Sequence, residues 1–332
     1  MNIDPIINYY LSNELIFISL ASGIILASMI YFISLDVVSK FPRLKDCKSN
    51  NLKRVKYRGL GILYLAALIP FFYICLSYMS INIIILISIL TFFGFIDDKY
   101  DLSSKLKLFV IIFISLFYNI LAIGIDKSFL NFIEFLHFFN KFIFLIFLIL
   151  FFNQIDGING LAGLTYFTSV LTIFLVFGNS LIFITFLILI IIYLFFNLRG
   201  KVGIHGDSGS YFLASTFFVL ITEYTNDLYF FHSLLFLCPI LFDVVSTTLI
   251  RLFFKKNILK PHKENLYQKF AYYYKSHIRS TLSFIFLQII FSLIILFLLK
   301  YNALIYIFIL SLFTFITFIY LSYLIYKRKI FC

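Results

Sequence analysis

The sequence predicts an all-α fold, a polytopic membrane bundle of about eleven transmembrane helices, and three observations carry that expectation. Of its 332 residues, 62% are hydrophobic and only 13% charged, with a mean hydropathy of +1.04. A soluble domain is only about half apolar, so the excess must face lipid or lie deep in a bundle. Apolar runs of roughly membrane length recur along the whole chain. The basic residues between those runs fall almost entirely on one side once the loops are alternated.

The apolar runs cover 15–35, 60–79, 81–96, 106–125, 138–153, 160–177, 180–198, 210–222, 231–250, 281–299 and 302–326. A helix needs about 20 apolar residues to span a bilayer, and in hydrocarbon it satisfies every backbone group within itself. The first run is expected to be a retained helix and not a cleaved signal. Asp4 and Glu14 precede it and the cations follow, whereas a signal begins with positive charge. Run 210–222 is short, and is expected to tilt or to be partly re-entrant. No internal repeat or low-complexity linker interrupts the series, so residues 1–332 read as one integral-membrane domain. Cys47, Cys75, Cys238 and Cys332 are far apart and form no CxxC pair, which supports neither a disulfide nor a thiolate metal site.

Alternation puts loops 36–59, 97–105, 154–159, 199–209 and 251–280 and the tail 327–332 on one side. With that side's second stretch counted to Lys107, it takes every Lys and Arg except Lys127, Lys141 and Lys300. Excess Lys and Arg marks the cytoplasm. The N-terminus is then outside and the C-terminus cytoplasmic. Four polar clusters lie on the cytoplasmic side, which reads as a site. A transporter would more often carry such residues in mid-membrane.

The first cluster is Asp97-Asp98-Lys99-Tyr100-Asp101, at the end of the third run. Adjacent carboxylates repel, so they raise a pKa or recruit a cation, and Mg²⁺ commonly bridges carboxylates and phosphates. A solvated acidic loop is the plainer alternative. The second is Asn153-Gln154-Ile155-Asp156-Gly157-Ile158-Asn159-Gly160, followed by Leu161-Ala162-Gly163. Asn153 and Asp156 share a face if the helix continues, and an acid so near hydrocarbon is costly. The third, Gly206-Asp207-Ser208-Gly209-Ser210, opens a helix whose amides suit phosphate, with a cation bridging to Asp207. Asp207 or Ser208 acting merely as an N-cap is the alternative. The fourth is Lys260-Pro261-His262-Lys263-Glu264-Asn265-Leu266-Tyr267-Gln268. There His262 can meet phosphate as a cation or move a proton, and Lys263 adds point charge. Asp243 stands apart within the ninth run, eight residues before Arg251, either a site residue or one with a structural ion-pair or snorkelling role.

DDxxD, NxxDGxxGLAG and GDxGS, in this order and on one side, resemble the polyprenyl-phosphate N-acetylhexosamine-1-phosphate transferases of glycosyl transferase family 4. The resemblance runs from Arg58-Gly59-Leu60-Gly61 to Tyr267-Gln268. It implies that Asp97 or Asp98 acts on the lipid phosphate and that Asn153 and Asp156 lie near metal and diphosphate. It further implies that Asp207 is the Mg²⁺ ligand with Asp156 beside it, and that Asn197 touches the nucleotide. His262 would hold the diphosphate. Arg58, Gly206, Lys263 and Tyr267 complete the substrate-binding candidates, and Mn²⁺ is the alternative ion.

Four departures bear on the substrate that the resemblance implies. PHKENLYQ replaces the histidine run of the peptidoglycan enzyme. Asn265 stands for the second histidine of an HxxHxYQ-like pattern found in initiators that use 6-deoxy-HexNAc nucleotides. Ile204 replaces an aromatic that stacks on uracil, and Asn159 replaces an acid. The implied activity is transfer of HexNAc-1-phosphate (GlcNAc, GalNAc or a 6-deoxy form) from a UDP-sugar to undecaprenyl phosphate, releasing UMP. It would initiate a cell-surface glycan such as the O-antigen of lipopolysaccharide, at the cytoplasmic face of the bacterial inner membrane. A phospho-MurNAc-pentapeptide transferase and a non-enzymatic transporter are the alternatives. The partners expected are UDP-HexNAc, undecaprenyl phosphate and the bilayer. A homodimer is compatible, and no nucleic acid is expected.

Overall fold

The computed structural model describes residues 24, 59, 61–68, 71, 79–123, 132–177, 181–197, 206–224, 233–258, 260, 262–301 and 303–328. Among them the regular elements are α1 Ile62–Leu68, α2 Ile81–Tyr100, α3 Ser104–Ile123, α4 Phe132–Ile155, α5 Leu161–Phe177 and α6 Leu181–Asn197. They continue with α7 Gly206–Tyr224, α8 Ile240–Phe253, α9 Leu266–Tyr273, α10 His277–Lys300 and α11 Leu304–Arg328. No strand occurs among the described residues. Apart from Ile24, the first expected run lies outside them, as does Arg58.

Among the described residues, five segments are long and apolar enough to cross a membrane: Ile81–Tyr100, Ser104–Leu121, Phe135–Ile155, His277–Lys300 and Leu304–Leu324. Their Ile, Leu and Phe are ordinary helix formers in water. In lipid, the cost of an unpaired backbone group overrides that modest preference. The protein is therefore a membrane helical protein. Large apolar side chains of α10 and α11, among them Phe286, Phe297, Phe308 and Phe313, are exposed, as expected of surface that lipid solvates.

Two expected segments differ in the structure. The short run 210–222 belongs to a 19-residue helix, because α7 begins at Gly206 and takes the polar GDSGS stretch into its first turns. The run 231–250 is broken. Residues 233–235 are helical, residues 236–239 form a turn, and α8 starts at Ile240. Pro239 stands at the break, where it has no amide to donate. With 14 residues, α8 is only about 21 Å long. The expected loop 251–280 also contains a short helix, α9.

The chain divides into two compact units, Met1–Lys99 with Asn179–Phe212, and Tyr100–Gly178 with Leu213–Cys332. In the first, the start of α7 is fixed by ring packing. Tyr64 stacks on Phe212 at 4.6 Å, and Phe93 stacks on Tyr211 at 6.1 Å. In the second, Phe152 lies 6.1 Å from Tyr166 and 5.8 Å from Phe217, and Tyr166 lies 6.0 Å from Phe217. A buried polar knot ties α5 and α10 to the break before α8. The Phe236 carbonyl accepts from Ser169 Oγ at 2.9 Å and from Gln288 Nε2 at 2.8 Å. A carbonyl freed by a broken helix must be satisfied this way when water is absent.

Candidate functional site

In the first unit the paired acids are not a solvated loop. Asp97 and Asp98 occupy the last turn of α2 and are both buried. Asp98 turns both oxygens to the start of α7. The amide of Asp207 donates to Oδ1 at 2.9 Å, and the amide and hydroxyl of Ser208 donate to Oδ2 at 3.0 Å each. First-turn amides have no partner within their own helix, and the helix N-terminus carries positive partial charge. Asp98 is thus the cap of α7, supplied by a neighbouring helix, and that charge relieves its repulsion with Asp97. The capping open to Asp207 or Ser208 at these amides is met from α2.

Glycines make this approach possible. Gly206 has φ +69°, and a Cβ there would overlap the carboxylate of Asp98. A Cβ on Gly61 would overlap the backbone of Gly209, and one on Gly94 would sit 2.6 Å from the Asp207 carbonyl. Gly61, Gly94 and Gly206, far apart in the chain, therefore serve one backbone junction. It holds Asp207 nearly buried, in the first turn of α7.

In the second unit the second and fourth clusters meet. α4 stops at Ile155, so Asp156 stands one residue beyond it, half-buried, while Asn153 is exposed. Gln154 Nε2 donates to Asn265 Oδ1 at 3.2 Å and lies 3.4 Å from His262 Nε2. Asn265 Nδ2 donates to the Tyr267 hydroxyl at 2.8 Å, which donates to the Gln154 carbonyl at 2.6 Å. The second hydroxyl lock on this region is Thr281 Oγ1 to the Asn159 carbonyl at 2.8 Å.

Charge around His262 decides its protonation. Burial and then the Arg251 cation push its pKa down to about 4; Lys256 acts the same way and Glu264 opposes. These groups thus favour the neutral imidazole of His262. Burial raises the pKa of Glu264, but hydrogen bonds from Lys256 and Arg251 outweigh it and hold the carboxylate below its ordinary range. Those contacts are 2.6 and 2.8 Å. Arg251 thus pairs with Glu264, and its Nη2 also donates to the Asn257 carbonyl at 2.6 Å.

Among the described residues, no group of three or more His, Cys, Asp or Glu side chains is placed to hold a metal ion. Mg²⁺ does not need such a cage, since it takes one or two carboxylates and completes its shell with water and substrate phosphate. The hard carboxylate oxygens of Asp207 and Asp156 are of the kind that ion takes. Asp207 belongs to the first unit and Asp156 to the second.

Residues 80–225 match the family model for glycosyl transferase family 4. The matched stretch is similar to glycosyl transferase family 4 and covers less than half of the chain. It holds the first three polar clusters and stops before the fourth. No curated protein matches the chain.

Of the other expected site residues, Asn197 closes α6, Lys263 is exposed and Tyr267 is fully buried. Sequence reasoning passed over Gln154 and treated Asn265 only as a replaced histidine, yet these two join the second and fourth clusters. Their signal was polarity beside apolar runs, since a buried amide must find partners. Asp243 makes no ion pair with Arg251. It is wholly buried and accepts the amides of Leu266 and Tyr267 at 2.8 and 3.0 Å.

Proposed function

We propose that this protein transfers HexNAc-1-phosphate from a UDP-sugar to undecaprenyl phosphate, releasing UMP, as the first step of a cell-surface glycan such as an O-antigen. The family 4 match over the segment that carries DDxxD, NxxDGxxGLAG and GDxGS is the observation that carries this reading. The substitution of PHKENLYQ for a histidine run favours a simple or 6-deoxy HexNAc over a MurNAc-pentapeptide.

We assign the roles as follows. Asp98 spends both oxygens on α7 and so orients Asp207, which leaves Asp97 as the acid assigned to the lipid phosphate. On the family resemblance alone, Asp207 and Asp156 are each assigned to Mg²⁺, or to Mn²⁺ in its place. When bound, the ion would neutralise diphosphate charge. Asn153, Asn197, Arg58, Gly206, Lys263 and Tyr267 are assigned to substrate binding. His262, neutral when the site is empty, would gain a proton as diphosphate approaches, because an adjacent anion favours the charged imidazole. Phosphoryl transfer is mostly positioning and charge neutralisation, which suits a site whose polar groups are held by helix caps and buried amides. Eleven spans, an external N-terminus and a cytoplasmic C-terminus would set the site at the cytoplasmic face of a bacterial inner membrane, where the acceptor's isoprenoid chain stays in lipid.

The test uses purified protein, undecaprenyl phosphate, Mg²⁺ and a panel of labelled UDP-HexNAc donors. UMP release and a lipid-linked product are expected with at least one donor. Asp207→Asn is expected to abolish release while the protein stays folded. No UMP from any donor would overturn the reaction, and full activity of Asp207→Asn would remove the metal assignment. Reporter fusions at the C-terminus check the topology, which requires a cytoplasmic signal.

A further inference from the structure

The loop that carries His262 and Tyr267 has to be held in place, and the way α9 begins shows how. Its N-cap residue is Asn265, in extended backbone at φ −63° and ψ 147°, yet the Asn265 side chain makes no cap hydrogen bond. Asn is among the strongest N-cap residues. Here its own helix does not use it.

The cap comes from elsewhere. Asp243, in the first turn of α8 and fully buried, accepts the Leu266 amide on Oδ1 and the Tyr267 amide on Oδ2. Thr247 Oγ1 lies 3.4 Å from Oδ1 and steadies the carboxylate. Relieved of capping, the Asn265 side chain accepts from Gln154 Nε2 and donates to the Tyr267 hydroxyl, which donates back to the Gln154 carbonyl. The resulting ring closes on the end of α4, two residues before Asp156. A carboxylate that bound only its own helix, or paired with Arg251, would leave Asn265 to cap α9 and the ring open.

We infer that Asp243 is a positioning residue for the proposed transfer: by capping α9 from α8, it frees Asn265 to lock the His262–Tyr267 loop onto the end of α4. The inference rests on the proposed reaction for its kinetic readout, but not for its structural one. A residue that merely stabilises the fold can be replaced by any other cap. A residue that positions through Asn265 cannot, because a cap supplied by residue 265 itself consumes the side chain that closes the ring.

The experiment uses the full chain in nanodiscs, with the exposed Lys260→Cys of the same loop spin-labelled in a background whose native cysteines are replaced. Asp243→Asn is expected to lower Tm, to raise the KM for the UDP-sugar by about tenfold or more with a smaller fall in kcat, and to make the label more mobile. Adding Asn265→Ser to Asp243→Asn gives α9 a cap of its own. Tm is then expected to recover while KM and label mobility stay altered. If KM and mobility recover together with Tm, Asp243 is only a stabiliser and the inference falls. Should Asp243→Asn fail to fold, Asn265→Ser alone keeps the question open to test. With Asp243 intact it should nearly hold Tm yet raise KM and loosen the label, and unchanged values of both would overturn the proposal. A wild-type protein that releases no UMP from any donor sinks the reaction instead, and the label then decides the role of Asp243 without it.

Discussion

The two polar clusters use the same device and brace it differently. At α7, Asp98 of α2 caps the helix with three hydrogen bonds of 2.9–3.0 Å. At α9, Asp243 of α8 caps with two amide bonds and a longer hydroxyl contact. The first junction is backbone against backbone, and it depends on the absence of side chains at Gly61, Gly94 and Gly206. The second is side chain against side chain, through Gln154, Asn265 and Tyr267. A glycine junction is stiff and tolerates no added atom, whereas an amide ring opens by rotation. The first cluster is therefore the more rigid of the two, which fits the fixed acid proposed above, and the second the more adaptable, which fits the proposed substrate loop.

The largest expected effect breaks the glycine junction. Gly61→Ala puts a methyl group into the backbone of Gly209 and should cost about 3 kcal/mol or more, read as a large fall in Tm in detergent. A wild-type Tm would show that the junction is loose and end the contrast. Next, Asp98→Asn removes a charged acceptor facing two amides and a hydroxyl, at a cost of about 3 kcal/mol. Asp243→Asn should fall by less, since its third contact is long. An equal or larger fall at Asp243 would erase the ranking of the two caps.

The third prediction concerns pH. The folded pKa of His262 is about 4 against an ordinary 6.5. The fold holds the neutral ring, so its stability is complete above about pH 6.5 and declines as pH falls towards 4. Tm measured across that window should drop, and His262→Gln should flatten the slope. Glu264 acts lower, because its depressed pKa makes its stabilisation present above 4.5 and lost as pH falls through the folded value. The smallest effect follows from it. Glu264 is partly exposed, so Glu264→Gln at pH 7 should cost less than about 1 kcal/mol after solvent screening.

Much of this was legible before any coordinates. Long runs such as 106–125 and 281–299 announce helices because lipid offers the backbone no other partner. The polar motifs announce themselves because acids near hydrocarbon are costly. The break before α8 was harder to see, since Pro239 sits in a run apolar enough to pass for an unbroken span. The roles inside the clusters were hidden for a different reason. Asp97 and Asp98 are equivalent as letters, and only the amides of α7 separate them. Asp243 looked like an ion-pair partner for Arg251 because both fall on α8, but Glu264 claims Arg251 from the loop. Caps given by one helix to another join residues far apart in the chain, and local spacing carries no trace of them.

The division of labour at α9 has an evolutionary corollary. Residues 243 and 265 form a linked pair, so drift at one is filtered by the state of the other. A homologue with Ser or Asp at the position of Asn265 would cap α9 for itself, and its counterpart of Asp243 would be released to become neutral or apolar. Joint variation of the two sites across related chains is the signature to expect, and independent variation would mean that each had settled its hydrogen bonding alone.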